Sequence, residues 1–166
     1  MRYFTRGMVR GELSDGDVAE IRKAYAERLE SISPQLTDPI RLLTEVSLQD
    51  AIIESIIWDP GIKCLEMSLV APFLDGYQVV RLKYYGALLG DERIRTLCSA
   101  ARDRETEILT TEVDYGDEGI FSHRLLFWPR DELTIDFADL EINISNREDD
   151  RVGLSGFFRE IYPEER

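Results

Sequence analysis

The sequence predicts an α+β fold, in which two N-terminal helices pack on an antiparallel sheet of about six strands. Apolar residues recur at helical spacing before residue 48, most clearly from Val18 to Ile32. Between residues 51 and 144, apolar and polar residues alternate in several segments, which is typical of strands with one buried face. Short turn sequences join most of these segments and favour an antiparallel, mostly meander order.

The first predicted helix has a clear start, one apolar stripe and a clear end. Ser14 is a candidate N-cap, with Asp17 three residues later as in a capping box. Pro34 ends the helix. The stripe consists of Val18, Ile21, Tyr25, Leu29 and Ile32. We expect this stripe to cover one face of the sheet.

The second predicted helix opens at Asp38-Pro39 and runs to about Leu48. The segment that follows, Ala51 to Trp58, fits either a strand or the end of this helix. Its four isoleucines prefer a pleated surface, and the turn sequence Asp59-Pro60-Gly61 comes next. We therefore predict a strand there.

Two more strands and one inserted helix follow. Alternation predicts strands from Lys63 to Ala71 and from Tyr77 to Tyr85. Asp91 is then expected to cap a short helix that ends near Asp103, between the third and fourth strands.

The stretch from Glu107 to Ile144 has the most regular alternation and predicts three successive strands. The first turn is placed at Gly116 to Gly119, which puts Glu112 opposite Ser122 and diagonal to Arg124. The parity of the apolar residues changes after Phe137, which indicates a β-bulge near Ala138 or, equally well, an irregular strand end.

The whole chain, 1–166, is predicted to be a single domain. Its parts are a helical front (1–48), a β-rich region (51–144) and a tail (146–166) with a charged loop and a short helix. The apolar tail residues are Leu154, Phe157, Phe158, Ile161 and Tyr162. These residues either pack on the rest of the fold or form a contact surface for a partner, so a homodimer is one of the two alternatives.

Composition limits the classes of partner. The formal net charge of −13 disfavours nucleic acid and anionic membranes and leaves basic proteins or metal cations as the partners that charge allows. Cys64 and Cys98 are far apart in the sequence and are expected to be reduced thiols. The sequence has no apolar run of transmembrane length and no signal peptide at its start, so we expect a cytoplasmic protein.

No catalytic or metal-binding motif is present in the sequence. The residues that could form a site are Glu112, Asp114 and His123. His123 shares the parity of Phe121 and Leu125, so a half-buried histidine bonded to a neighbour is the simpler interpretation. Acidic residues at the hairpin tip could bind calcium but lack the spacing of a known loop. We predict neither a metal nor a cofactor.

Three stretches resemble an uncharacterised bacterial family, a domain of unknown function. They are the opening Met1 to Arg6, the segment Leu48-Gln49-Asp50-Ala51, and the hairpin Glu112 to Phe127 with the strand Leu133 to Phe137. Gln49 stands where the family has a histidine. The resemblance implies an intracellular bacterial protein with a helical front and a β-rich remainder, and it brings no activity.

Two functions follow as hypotheses. The first is a non-enzymatic protein-binding or regulatory protein, in its specific form an immunity-type protein that occludes a basic toxin. The alternative is a small carboxylate-dependent hydrolase that uses Glu112, Asp114 and His123. A polar pocket joining these three residues would favour the hydrolase.

Overall fold

The computed structural model of this chain describes residues 1–74, 76–116, 118–129 and 131–147. The helices are α1 (Arg6–Val9), α2 (Asp15–Ile32), α3 (Asp38–Glu45) and α4 (Asp91–Arg102), with a 3₁₀ turn at Ser33–Gln35. The strands are β1 (Ala51–Asp59), β2 (Cys64–Phe73), β3 (Gly76–Tyr85), β4 (Glu107–Tyr115), β5 (Phe121–Trp128), β6 (Glu132–Phe137) and β7 (Asp139–Asn146). No described helix combines the length and apolar character needed to span a membrane.

The strands form one antiparallel sheet in the order β6-β5-β4-β1-β2-β3-β7. Two three-stranded meanders, β1-β2-β3 and β4-β5-β6, meet where β1 pairs with β4. This confirms an α+β fold with an antiparallel sheet. The described residues contain seven strands in this sheet rather than about six, because the last segment of the predicted central stretch is two strands.

The additional strand arises at Ala138, which alone separates β6 from β7. These strands occupy opposite ends of the strand order, so the sheet must curl until its two edges meet at this residue. Ala138 N–H donates to the Tyr85 carbonyl at 2.9 Å. A β-carbon on Gly86 would lie 3.0 Å from the β-carbon of Ala138, and the φ of Gly86 is +63°; glycine permits both the close approach and the dihedral. The bulge prediction is therefore wrong, since the parity changes where the chain exchanges β5 for β3 as its partner.

The main core lies on the inner face of the curled sheet. Helices α3 and α4 insert Ile40, Leu43, Leu97 and Ala100 into it. Its largest fully buried side chains include Tyr84, Phe127, Phe137, Leu82 and Met67. The core thus joins residues from both meanders and from β7.

Helix α2 is placed differently from the prediction. Its N-cap Ser14 forms the predicted capping box with Asp17. Its main sheet contact is β4, and of its apolar stripe only Ile32 is buried while Ile21 and Tyr25 are half-buried. The helix therefore lies along β4 instead of covering a sheet face.

Several local predictions are confirmed. Residues 51–59 form a strand, α4 is inserted between β3 and β4, and Cys64 and Cys98 are free thiols. Helix α4 is capped by Gly90, with Asp91 as its first residue. The β4–β5 hairpin is present, but Glu112 lies directly opposite Arg124 and not opposite Ser122. The predicted tail helix lies outside the described residues.

Candidate functional site

The structure does not bring the three candidate residues together. On β4, Glu112 and Asp114 point to the outer face of the sheet, where Glu112 pairs with Arg124 of β5. His123 is opposite Val113, a core residue, and points to the inner face. The backbone of the sheet therefore separates the histidine from both carboxylates.

Glu112 is fully buried beneath the first residues of the chain. Its carboxylate accepts the backbone N–H groups of Arg2 (2.9 Å), Tyr3 (2.6 Å) and Phe4 (2.6 Å). Arg124 Nη1 lies 3.4 Å from Glu112 Oε2. Four donors thus converge on one carboxylate, and their hydrogen bonds offset the free-energy cost of burying its charge.

The N-terminal segment is also held by aromatic packing. The rings of Tyr3 and Phe4 lie with their centroids 5.3 Å and 4.8 Å from the ring of Tyr25 on α2. The Arg6 guanidinium donates to the carbonyls of Phe127 and Pro129 at 3.0 Å and 2.9 Å. Residues 2–6 therefore form a strap across β4 and β5, and Glu112 is its central attachment.

Asp114 is surrounded by arginines. Its oxygens lie 2.8 Å from Arg28 Nε, 3.3 Å from Arg124 Nη2 and 3.6 Å from Arg2 Nη1. Burial acts to raise the pKa of this carboxyl, but the hydrogen bonds from Arg28 and the Tyr115 N–H and the charges of Arg28 and Arg124 outweigh it and lower the pKa. Asp114 therefore stays ionised at neutral pH.

These contacts decide what the two carboxylates can do chemically. Neither carboxylate is exposed to solvent, because both are buried among cationic and backbone donors. A general acid–base pair needs one carboxyl that exchanges a proton near neutral pH. Here the donors fix the strap and α2 to β4, which is a structural role.

His123 lies in the core with one polar neighbour. Its Nδ1 is 2.7 Å from the Tyr84 hydroxyl, and its Nε2 has no hydrogen-bond partner among the described residues. Burial lowers the pKa of His123 to about 3 and raises the pKa of Tyr84 well above its usual value. The imidazole is thus neutral, as expected for a core histidine bonded to a neighbour, and it is more buried than the sequence suggested.

Two concave regions lie elsewhere on the surface. A trough of about 610 Å³ runs over the outer face of β1, β2, β3 and β7. Of its three lining carboxylates, Glu66 lies 2.7 Å from Lys83 Nζ and Glu54 lies 3.2 Å from Arg147 Nη1, while Arg81 lines the trough together with the third, Glu141. The trough is therefore close to charge balance.

The second region is a cleft of about 260 Å³ between β4 and the connection from α3 to β1. We call it the β4 cleft. Its walls are residues 43–49, residues 109–111 and Val113, and Phe4 and Tyr25 line it as well. It lies where β1 and β4 diverge, because their pairing covers only Ala51–Ile108 and Ile52–Glu107.

Sequence reasoning missed the strap and the β4 cleft. The strap joins residues 108 to 110 positions apart in the sequence, and backbone N–H donors leave no mark in side-chain patterns. The adjacent aromatics Tyr3 and Phe4 were the one available signal. Within the described ranges, no group of three or more His, Cys, Asp or Glu residues is arranged to hold a metal ion.

Comparisons with protein-family models, with curated proteins and with solved structures found no match. The resemblance of Met1 to Arg6 and of the hairpin to an uncharacterised bacterial family therefore stays a prediction.

Proposed function

We propose that this chain is a non-enzymatic protein-binding or regulatory protein whose partner is basic. The observation that carries the proposal is the distribution of charge. The buried carboxylates Glu112 and Asp114 are matched by Arg2, Arg28 and Arg124. These five groups together carry a net charge of +1, so the rest of the chain carries −14 of the total formal charge of −13.

A surface of this kind favours association with a cationic protein. Exposed charge of one sign accelerates encounter with a partner of the opposite sign and repels other acidic proteins. In its specific form the proposal is an immunity-type protein that binds a basic toxin and occludes it. The same repulsion argues against nucleic acid as the partner.

The carboxylate-dependent hydrolase is the alternative, and no described arrangement favours it. Glu112 and Asp114 are engaged by arginines and backbone N–H groups, and His123 lies on the other face of the sheet. A hydrolase would have to use carboxylates other than the ones that the sequence singled out.

The test is capture from a native lysate on immobilised chain, with an unrelated acidic protein of equal charge as the control column. We expect a protein rich in lysine and arginine, retained at equal stoichiometry on this chain alone. It should elute as the salt concentration rises from about 0.1 M to 1 M, over which the Debye length falls from about 10 Å to 3 Å. For the immunity-type version, the captured partner should lose its own activity when the complex forms.

The proposal fails if the column retains nothing that the control column does not. It also fails if the retained protein is acidic or neutral, because the charge distribution would then play no part in its recognition.

A further inference from the structure

The edge of β4 that faces away from β5 is occupied at both ends. At the start of the strand, Ile108 and Glu107 pair with Ala51 and Ile52 of β1. Near its end, the Tyr25 hydroxyl accepts the Val113 N–H at 2.8 Å and donates to the Val113 carbonyl at 3.4 Å. Side chains of α2 thus replace a neighbouring strand at that position.

The middle of the same edge is open. Along a strand, the N–H and C=O of residues i and i+2 point to the same side. Because both backbone groups of Val113 face α2, those of Thr111 face the same way, into the β4 cleft. In the described part of the chain, no strand or side chain pairs with Thr111 on that side.

The size of the β4 cleft suits a short piece of extended chain. Its volume of about 260 Å³ is below the roughly 300–1,000 Å³ of ordinary small-molecule pockets. One wall is an unpaired strand edge, and such an edge is a template for adding a strand from another chain. Thr44, Ser47 and Gln49 make the opposite wall partly polar.

Three carboxylates in or next to the segments that line the β4 cleft have no described cationic partner. Glu45 lines the cleft, Asp50 follows the lining residue Gln49, and Glu107 comes two residues before the lining residue Leu109. None of these three forms an ion pair with a described residue. Burial and the nearby charge of Asp50 raise the pKa of Glu107.

This charge distinguishes the β4 cleft from the larger trough, where Glu54 and Glu66 have cationic partners. It also argues against a second copy of this chain as the occupant, because two chains of charge −13 repel each other. A segment that carries cations removes the repulsion between Asp50 and Glu107 when it binds.

We propose that the β4 cleft receives an extended, lysine- or arginine-containing segment of a protein partner, which adds to the open edge of β4 at Thr111. Backbone hydrogen bonds to Thr111 hold the segment in register, and the carboxylates of Glu45, Asp50 and Glu107 select cationic side chains. This inference rests on the proposed function, for which it names the binding surface.

The probe is the blocked peptide acetyl-Lys-Val-Lys-Val-Lys-Val-amide, titrated into the isotope-labelled chain and followed by backbone amide NMR. We expect shifts at residues 44–50 and 107–113, together with slower hydrogen exchange at the Thr111 amide. A Glu-Val peptide of the same length should bind at least tenfold more weakly. Equal binding of the two peptides, or shifts confined to other residues, would overturn the proposal.

Two variants separate the backbone of Thr111 from its side chain. Thr111→Pro removes the N–H from the open edge, a position where a strand tolerates proline, and we expect at least tenfold weaker binding. Thr111→Val keeps the N–H and should bind within about twofold of the original chain, which on the scale of 1.4 kcal/mol per tenfold is a small change. Equal affinity of the two variants would overturn the proposal.

A second test leaves the protein unchanged, in case Thr111→Pro does not fold. One peptide is N-methylated on its lysines and another on its valines. Because alternate residues of an extended peptide point their N–H groups to the same side, each peptide loses the backbone donors along one of its two edges. At least one should bind tenfold more weakly, and retained affinity in both contradicts strand addition. If the lysate capture retains no partner, the proposed protein-binding function itself is wrong. If the peptide instead causes shifts in the trough, only the assignment of binding to the β4 cleft is wrong.

Discussion

Arg124 lies directly opposite Glu112 across the β4–β5 pair and also reaches Asp114, so one guanidinium serves two carboxylates on the outer face of the sheet. Glu112 in turn fixes the strap through the N–H groups of Arg2, Tyr3 and Phe4. Removing Arg124 leaves the fully buried Glu112 carboxylate without its cationic partner on β5, which is more costly than losing an exposed ion pair.

Glu112→Gln should destabilise the chain by about 2 to 4 kcal/mol, because the neutral amide binds Arg124 and the strap donors less strongly than the buried carboxylate does. Urea unfolding followed by circular dichroism measures the change. The matched control is Glu20→Gln on the exposed side of α2, which should stay within about 0.5 kcal/mol. Equal unfolding free energies for the two variants would show that the strap adds nothing to stability.

Tyr25→Phe should cost about 1 to 3 kcal/mol, since it removes the only described partner of the Val113 N–H while keeping the ring that packs on Phe4. Hydrogen exchange at the Val113 amide should accelerate more than exchange at amides in β2. The control is Tyr77→Phe on β3, whose hydroxyl makes no hydrogen bond to any residue in the described part of the chain. An unchanged Val113 exchange rate contradicts the role given to the hydroxyl.

Tyr25 also predicts a loss of stability in alkali. Burial raises its pKa to about 12, whereas an unfolded tyrosine titrates near 10. Between these values the unfolded chain releases a proton that the folded chain retains, so the unfolding free energy falls as pH rises. The fall between pH 10 and 12 should be smaller in Tyr25→Phe than in the original chain, and identical pH profiles would refute the assignment.

His123 predicts a loss of stability in mild acid. Its pKa is lowered to about 3 in the folded chain, against about 6.5 when unfolded. Below pH 6.5 only the unfolded chain takes up the proton, so stability declines with falling pH by up to about 1.4 kcal/mol per pH unit. The imidazole NMR signals of the folded chain should not titrate between pH 8 and 4.

The effect of His123 can be isolated by comparing Tyr84→Phe with the double variant Tyr84→Phe/His123→Phe. Both variants lack the Tyr84 hydroxyl, so neither leaves that hydroxyl buried without its hydrogen-bond partner. The single variant retains the imidazole that takes up a proton when the chain unfolds, and the double variant lacks it. We expect the unfolding free energy of the single variant to decline more steeply between pH 6.5 and 4. Parallel slopes would mean that His123 is protonated in the folded state as readily as in the unfolded state.

The β4–β5 turn allows a comparison of two glycines. Gly119 has a φ of +78°, whereas Gly116 has no positive φ. Gly119→Val should therefore be destabilised by about 1 to 3 kcal/mol, and Gly116→Val should lose less. Thermal unfolding of the two variants gives the difference, and a larger loss in Gly116→Val would contradict the turn geometry.

Local patterns predicted those parts of the fold that local physics determines. Three features depend only on residues close to them in the sequence. They are the isoleucines of β1, the capping box at Ser14 and the glycines before Phe121. Alternation likewise placed His123 on the inner parity. These features follow from dihedral preferences and from burial on one side of an element.

The remaining features depend on contacts between distant parts of the chain. In the sequence pattern, Glu112 looks like a solvated surface residue, because its burial depends on the distant residues Arg2 to Phe4. The parity change at Ala138 could be read as a local irregularity, because nothing near it in the sequence shows that β3 is the new partner. The β4 cleft depends on where β1 and β4 diverge, which is a property of the complete sheet.

The single-residue connection at Ala138 has a consequence for the order of folding during synthesis. Strand β7 pairs with β3, about 60 positions earlier, in a register that joins Tyr84 to Leu140. The first meander can form before the second has been made, but β3 keeps an unpaired edge until β7 is available to pair with it. Pairings of such sequence separation are slow to form, and an exposed strand edge on a partly made chain invites aggregation. The edge of β3 is thus exposed to such pairing until the last described strand emerges.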